Sequence, residues 1–348
     1  MNGVMKAGVY HPGKGLHLEQ RPIPEPESGE LLIQVQAIGI CGSDIHYYRD
    51  GKIGDWVIER PHVLGHEFSG VVTGIGADVN GFQLADHVAV EPCLPCGQCS
   101  ACRSGRYNVC QKLRFIGSPH TDGAFAEYVI APARFSHLLP ESFDAELGAL
   151  VEPTAVAVQA VRRSRLCLGE TVAIVGAGPI GLLTLAVALS SGASAVYVSD
   201  VNTKRLEKAL ELGATAIFDA RNDAAAAVTE LTHGRGADVV FEAVGSAVTI
   251  NQAIAMAAPG GRLTVIGMST EEVVPFNFFA LQSKELDLIT VWLYRDAFPA
   301  AIALLASGRV NARAIITHRF GLNEVRTAMD TASEGRGAPI KVMIRVQP

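Results

Sequence analysis

Up to about Leu150 the apolar positions come in short β-branched runs, residues 31–38 and 70–75 among them, interrupted at close intervals by Gly and Pro. That punctuation predicts small strands in a partly closed all-β unit. From about Val151 the texture changes: short apolar runs alternate with Ala-rich stretches of helical period, the pattern of βα units around a parallel sheet. Six strands are predicted, at 172–175, 196–199, 216–218, 239–242, 263–266 and 288–291. The helices between them start near Pro179, Thr203, Asp223, Ala247 and Asn277, and Gly213 marks the end of the second. Six strands with five crossovers make a complete doubly wound sheet. Beyond about Tyr294 the chain offers one helix, residues 297–307, then turns and a last strand near 340–346. This tail is too short to stand alone and is expected to return to the first domain.

Composition narrows the reading. A length of 348 residues suits two domains, and 49% hydrophobic against 18% charged residues is a globular composition with few surface charges. No uninterrupted apolar run approaches the roughly 18 residues that span a bilayer, and no basic-then-apolar leader opens the sequence. A cytoplasmic address, away from membranes, is expected. Residues 1–150 hold 11 Lys and Arg against 17 Asp and Glu, and the remainder holds 18 of each, so nothing is basic enough to predict nucleic-acid binding. Of seven cysteines, five fall between 93 and 110, a crowding that favours metal over disulfides.

The first α/β strand runs into Gly176-Ala177-Gly178-Pro179-Ile180-Gly181 and then an apolar helix. Gly176 permits the tight turn, Gly178 lets the backbone approach a pyrophosphate, and Gly181 allows helix to pack on strand. The next strand ends in Asp200, 19 residues past Gly181, where a carboxylate can accept both ribose hydroxyls of NAD and would repel the 2'-phosphate of NADP. Cys96, Cys99, Cys102 and Cys110 have the spacing of a four-thiolate structural zinc site with no open position. Cys93, Cys96 and Cys99 share the opening of a bacterial ferredoxin motif, but Arg103 and Ser104 stand where that pattern continues differently. A nucleic-acid zinc ribbon would need more than Arg103 and Arg106 in an acidic region. Cys41, His66, Glu67 and Glu152 offer sulfur, nitrogen and oxygen ligands of the kind catalytic zinc takes, with a position left for water or substrate.

The stretches GICGSDIHYY (39–48), VLGHEFSG (63–70), DGAFAEYV (122–129), VEPTAVAVQA (151–160), GAGPIGL (176–182) and THRF (317–320) span nearly the whole chain. They resemble the zinc-containing medium-chain alcohol dehydrogenase superfamily and, within it, the sorbitol and xylitol (polyol) dehydrogenases. The resemblance implies a GroES-like catalytic domain, residues 1–152 with 295–348, carrying a structural zinc lobe at about 91–112. It implies a Rossmann domain over 153–294 and an active site in the cleft between them. It implies two zinc ions per subunit, a catalytic one on Cys41, His66 and either Glu67 or Glu152, and a structural one on the four clustered cysteines. Zinc would act as a Lewis acid toward the substrate hydroxyl, hydride would pass to NAD, and the proton would leave through Ser43 and His46. Tyr47 matches a substrate-contacting position.

Cofactor contacts implied in the same way are Gly176, Gly178, Pro179, Ile180, Gly181, Asp200, Arg205 and Val244, then Ile266, Gly267 and Met268, and finally Trp292, Leu293 and Tyr294. Polyol dehydrogenases usually carry Arg-Tyr at the last position, whereas this chain has Leu293-Tyr294. The expected activity is interconversion of a small polyol and its ketose, xylitol with D-xylulose or sorbitol with D-fructose. Threonine, a 2,3-butanediol-type diol or a sugar acid such as L-idonate is the alternative substrate. Retention of Cys41, His66 and Glu67 argues against a redox-inactive relative. A homo-oligomer, tetramer or dimer, is also implied.

Overall fold

The computed structural model describes residues 3–346, which divide into two compact units. One comprises residues up to Glu152 together with those from Ile316, and the other is Pro153–Ile315.

The first unit is built on a seven-stranded sheet. Its order is Ser136–Leu138, His87–Val90, Glu67–Ile75, Glu30–Gly39, Lys341–Arg345 and Ile316–Gly321, with Tyr128–Pro132 paired to the early half of Glu30–Gly39. Every pairing is antiparallel except that of the two C-terminal strands. Glu30–Gly39 is central and reads as an apolar run because it is covered: Leu31, Ile33, Val35 and Ile38 are buried with Phe68, Val72, Val88, Phe125 and Ile344. Gly39 ends this strand opposite Glu67 on one neighbour and Met343 on the other. The sheet thus brings segments more than 270 residues apart to the two sides of one strand at its carboxyl end.

The second unit holds a six-stranded parallel sheet in the order Ala216–Asp219, Ala195–Asp200, Thr171–Val175, Ala237–Glu242, Ala257–Val265, Asp287–Thr290. In chain order this is 3-2-1-4-5-6, the doubly wound arrangement whose switch point lies beside the first strand. Its helices start where side chains cap them: Asn202 accepts from the Arg205 amide, Asp223 from Ala226 and Asn277 from Ala280.

Residues 295–315 correct the expected boundary, since they pack with the second unit rather than the first. Helix Phe298–Ala306 buries Phe298, Ala301 and Leu305 there, and Phe298 packs its ring against Tyr294. Arg162 donates to the Asp296 carbonyl at 2.8 Å, and Ser190 to that of Arg309 at 3.2 Å. The longer helices that were not legible are Gly42–Asp50, Val151–Ser164 and Val325–Glu334; the short Ser100–Arg103 and Ala145–Ala149 were not either. None of the described helices is long and apolar enough to cross a membrane.

Candidate active site and cysteine lobe

Cys41 precedes helix Gly42–Asp50 in extended conformation, and its amide donates to Asp44 Oδ2 at 2.9 Å, the reciprocal half of a capping arrangement. Asp44 is fully buried, and its other oxygen accepts from the Gly65 amide at 3.0 Å and lies 3.7 Å from His66 Nδ1. One carboxylate therefore ties the Cys41 turn to the His66 turn. Gly65 has φ of +93°, and a Cβ there would strike Ile38 and Phe125 at 2.5 and 2.8 Å, so no other residue can deliver His66 to this position. The His66 ring packs edge-on against Phe115 at 5.0 Å.

The ligand atoms of Cys41, His66 and Glu67 all lie within 4.8 Å of one another. A tetrahedral zinc with bonds of about 2.0–2.3 Å holds its donors roughly 3.3–3.8 Å apart, so one thiolate, one imidazole and one carboxylate at this spacing fit that ion and leave a fourth position. Electrostatics agree. Burial opposes charge on His66, but the carboxylate of Asp44, then Cys41 and Glu152, outweigh it and push the imidazole up to about 10. Such a pocket attracts a cation. Glu152 stays outside the three-donor group; it is buried, and its charge is felt at His66, Cys93 and Lys341.

Helix Gly42–Asp50 carries the other expected residues. Ser43 is half-buried in its first turn, and His46 is half-buried with Nδ1 3.9 Å from Asp50. Tyr47 is buried in the core of the unit, and burial, then Asp44, raises its hydroxyl pKa.

Two residues escaped the sequence reading. Asp44 has a signal, an acidic side chain three residues after the N-cap. Lys341 starts a strand whose next three residues, Val342, Met343 and Ile344, are apolar and buried, and a charge buried with them demands a partner. Its Nζ meets both oxygens of Glu67, at 2.8 and 2.6 Å.

In the cysteine lobe, Cys96 and Cys102 sulfurs are 4.0 Å apart, Cys99 and Cys102 3.5 Å, and Cys99 and Cys110 3.9 Å. Four thiolates around a zinc at about 2.3 Å are roughly 3.8 Å apart, so the lobe fits a closed tetrahedral site. Backbone amides of Cys102 and Gln111 bring the Cys99 thiol down to about 6, whereas desolvation, then Cys99, pushes Cys102 up to about 12. Cys93 is not in this group; it lies buried in the Cys93–Leu94 strand.

In the second unit the expected cofactor residues gather at the carboxyl ends of the strands. Gly176 has φ of +99°, and a Cβ on Gly181 would sit 1.8 Å from the Gly176 carbonyl oxygen. At Gly178 a Cβ would meet no protein atom, which leaves a cradle open beside the start of the helix that begins with Pro179 and Ile180. Asp200 accepts from the Ala177 amide at 2.7 Å and the Asn202 amide at 2.8 Å, so its carboxylate stands against the glycine turn. Arg205 lies in the first turn of helix Thr203–Glu211. Gly267 packs on the amides of Val244 and Gly245, which Glu242 Oε1 also holds at 2.9 and 2.8 Å. Ile266 and Met268 flank Gly267 and are half-buried. In the last segment Trp292 is exposed, Tyr294 is buried, and Leu293 has a left-handed φ of +52°, which a non-glycine residue adopts at a cost in strain.

Two family profiles match the chain, the alcohol dehydrogenase GroES-like domain over residues 27–141 and zinc-binding dehydrogenase over 179–307. The sorbitol dehydrogenase of Bacillus subtilis (strain 168) is 38% identical over 98% of this chain and 97% of its own length. The chain belongs to the zinc-containing medium-chain alcohol dehydrogenase superfamily. D-xylulose reductase A of Aspergillus oryzae is another relative of this dehydrogenase, 38% identical over 95% of the chain and 94% of its own. Two solved structures superpose over 99% of the chain and 100% of their own. One is a zinc-binding dehydrogenase of Sinorhizobium meliloti 1021 bound to NADP, with TM-score 0.92 and 32% identity. The other is 2R,3R-butanediol dehydrogenase of Bacillus subtilis, with TM-score 0.89 and 32% identity.

Proposed function

We propose that this dehydrogenase oxidises a secondary alcohol of a polyol, xylitol or sorbitol, to the ketose, with NAD as the acceptor. The observation that carries the reading is the donor set Cys41, His66 and Glu67, with buried Glu152 close by, in a chain matched end to end by sorbitol dehydrogenase and D-xylulose reductase. When bound, zinc at those residues supplies Lewis acidity to the substrate hydroxyl, and the nicotinamide ring supplies the hydride acceptor. The chain's own groups do the rest. Asp44 fixes the turns that present Cys41 and His66. Ser43 and His46, one turn apart on the same helix, accept the hydroxyl proton and pass it outward, with Asp50 beside the imidazole. Asp200, at the end of the second α/β strand, takes the ribose hydroxyls and disfavours a 2'-phosphate.

A second reading, a diol or sugar-acid dehydrogenase, is favoured by Leu293, which brings no donor to the position where polyol enzymes usually carry Arg. The test follows NADH or NADPH absorbance with xylitol, sorbitol, galactitol, 2,3-butanediol, threonine, L-idonate and ethanol, each with NAD and NADP, before and after zinc chelation. The expected result is chelator-sensitive activity, strongest on a pentitol or hexitol with NAD. Preference for a short diol, threonine or L-idonate would replace the polyol assignment by the second reading.

A further inference from the structure

Lys341 is buried inside the first unit, and its ammonium spends all three protons: on Glu67 Oε1 at 2.8 Å, on Glu67 Oε2 at 2.6 Å and on the Ile40 carbonyl at 3.1 Å. The pair meets across Gly39. A Cβ on Gly39 would lie 2.3 Å from Glu67 Oε2 and 3.4 Å from Lys341 Cδ, so this end of the central strand is open for the two side chains to join. Glu67 is also one of the three residues whose ligand atoms converge on the candidate metal position. Its carboxylate therefore faces two cations: Lys341, which grips both oxygens, and the metal, which can take one of them.

We propose that Lys341 is a positioning residue that restrains Glu67, so that the carboxylate is shared between the ammonium and the metal instead of being committed to the metal. This rests on the reading of Cys41, His66 and Glu67 as the catalytic metal ligands. A lysine suits the role. A guanidinium would bind the carboxylate as a rigid fork, whereas a compact ammonium on a flexible stem can keep one contact while the other oxygen turns away.

The experiment measures release of zinc from the full-length protein to a chromophoric chelator, together with the visible spectrum of the cobalt-substituted protein. Cys41→Ser first identifies the release phase that belongs to this site; if that substitution removes no phase, the metal reading fails and the proposal with it. In Lys341→Met, release from the site should slow about tenfold, the scale on which groups behind the ligands act, and the cobalt absorption bands should shift as Glu67 coordinates fully. The same substitution in a Glu67→Gln background should leave release unchanged. An equal effect in both backgrounds would mean that Lys341 acts only as a distant charge, and that would overturn the proposal. So would unchanged or faster release in Lys341→Met. If Lys341→Met does not fold, Lys341→Arg decides the matter. Its fork should hold Glu67 at least as firmly, so release should be as fast as in the native protein or faster, and slower release would overturn the proposal.

Discussion

Asp44 shows how much of the site depends on a side chain outside the ligand set. With one oxygen on the Cys41 amide and the other on the Gly65 amide and near His66, it joins two turns that are 21 residues apart. Asp44→Asn keeps the shape, removes the charge and sets one amide group against a backbone donor. We expect affinity at the Cys41–His66–Glu67 site to fall about 10–100-fold, with the cysteine lobe keeping its metal, measured as metal per chain after dialysis against a graded chelator series. At this scale the sequence was legible where residue type and spacing bring donors together: Cys41, His66 and Glu67 converge, as do the four clustered cysteines. Lys341 was not legible because its partner is 274 positions away, and only the register of three strands brings the two together.

Among elements, the six parallel strands were read correctly because each is a short apolar run between glycines and helix caps, and the inner ones, Thr171–Val175, Ala195–Asp200 and Ala237–Glu242, are largely buried. The missed helices lack that clarity. Val151–Ser164 opens with a proline in its first turn and alternates Val and Ala like a strand, and burial of Ala155, Ala157, Val158 and Val161 makes it helical. Val325–Glu334 carries Thr and Asp within it and is held by its buried face of Val325, Ala328 and Met329. The tail is also joined to the short helix Ala145–Ala149 by Glu146, which accepts from Arg319 at 2.9 and 3.0 Å and from Arg345 at 2.8 Å.

Burial works against the Glu146 carboxylate, but hydrogen bonds from Arg319 and then Arg345 hold its pKa below the ordinary value. Its contribution is therefore complete above the unfolded-state value of about 4.3 and is lost as pH falls through the lower folded-state value. Glu146→Gln should cost about 1–2 kcal/mol near neutral pH, the exposed ends of both arginines keeping it modest. Denaturant unfolding of the native and variant proteins should show that difference shrink as the pH is lowered below the unfolded-state value.

At the scale of the whole chain, two units were expected, but the second boundary falls at 315/316 and not at 294/295. The helix in between looked like part of the tail because sequence position is silent on which core an apolar face will join. Among the described residues the Asp287–Thr290 strand pairs on one side only, and Leu288, Phe278, Phe279 and Val273 are exposed. An open edge with apolar neighbours is a surface that a second copy can cover. The expected homo-oligomer should thus respond to Leu288→Lys, with light scattering reporting a shift toward monomer; an unchanged mass would place any interface elsewhere. The cysteine lobe, finally, would have a fate tied to any zinc it holds. Cys99 ionises near about 6, and its sulfur stands 3.5 Å from that of Cys102. In metal-free protein exposed to peroxide, we expect the Cys99 thiolate to oxidise first and its sulfenic acid to condense with the neighbouring Cys102 thiol, expelling water, which peptide mapping of the disulfide checks. Once bridged, that pair can no longer bind a metal, so zinc added to the oxidised protein should be taken up only after a reductant.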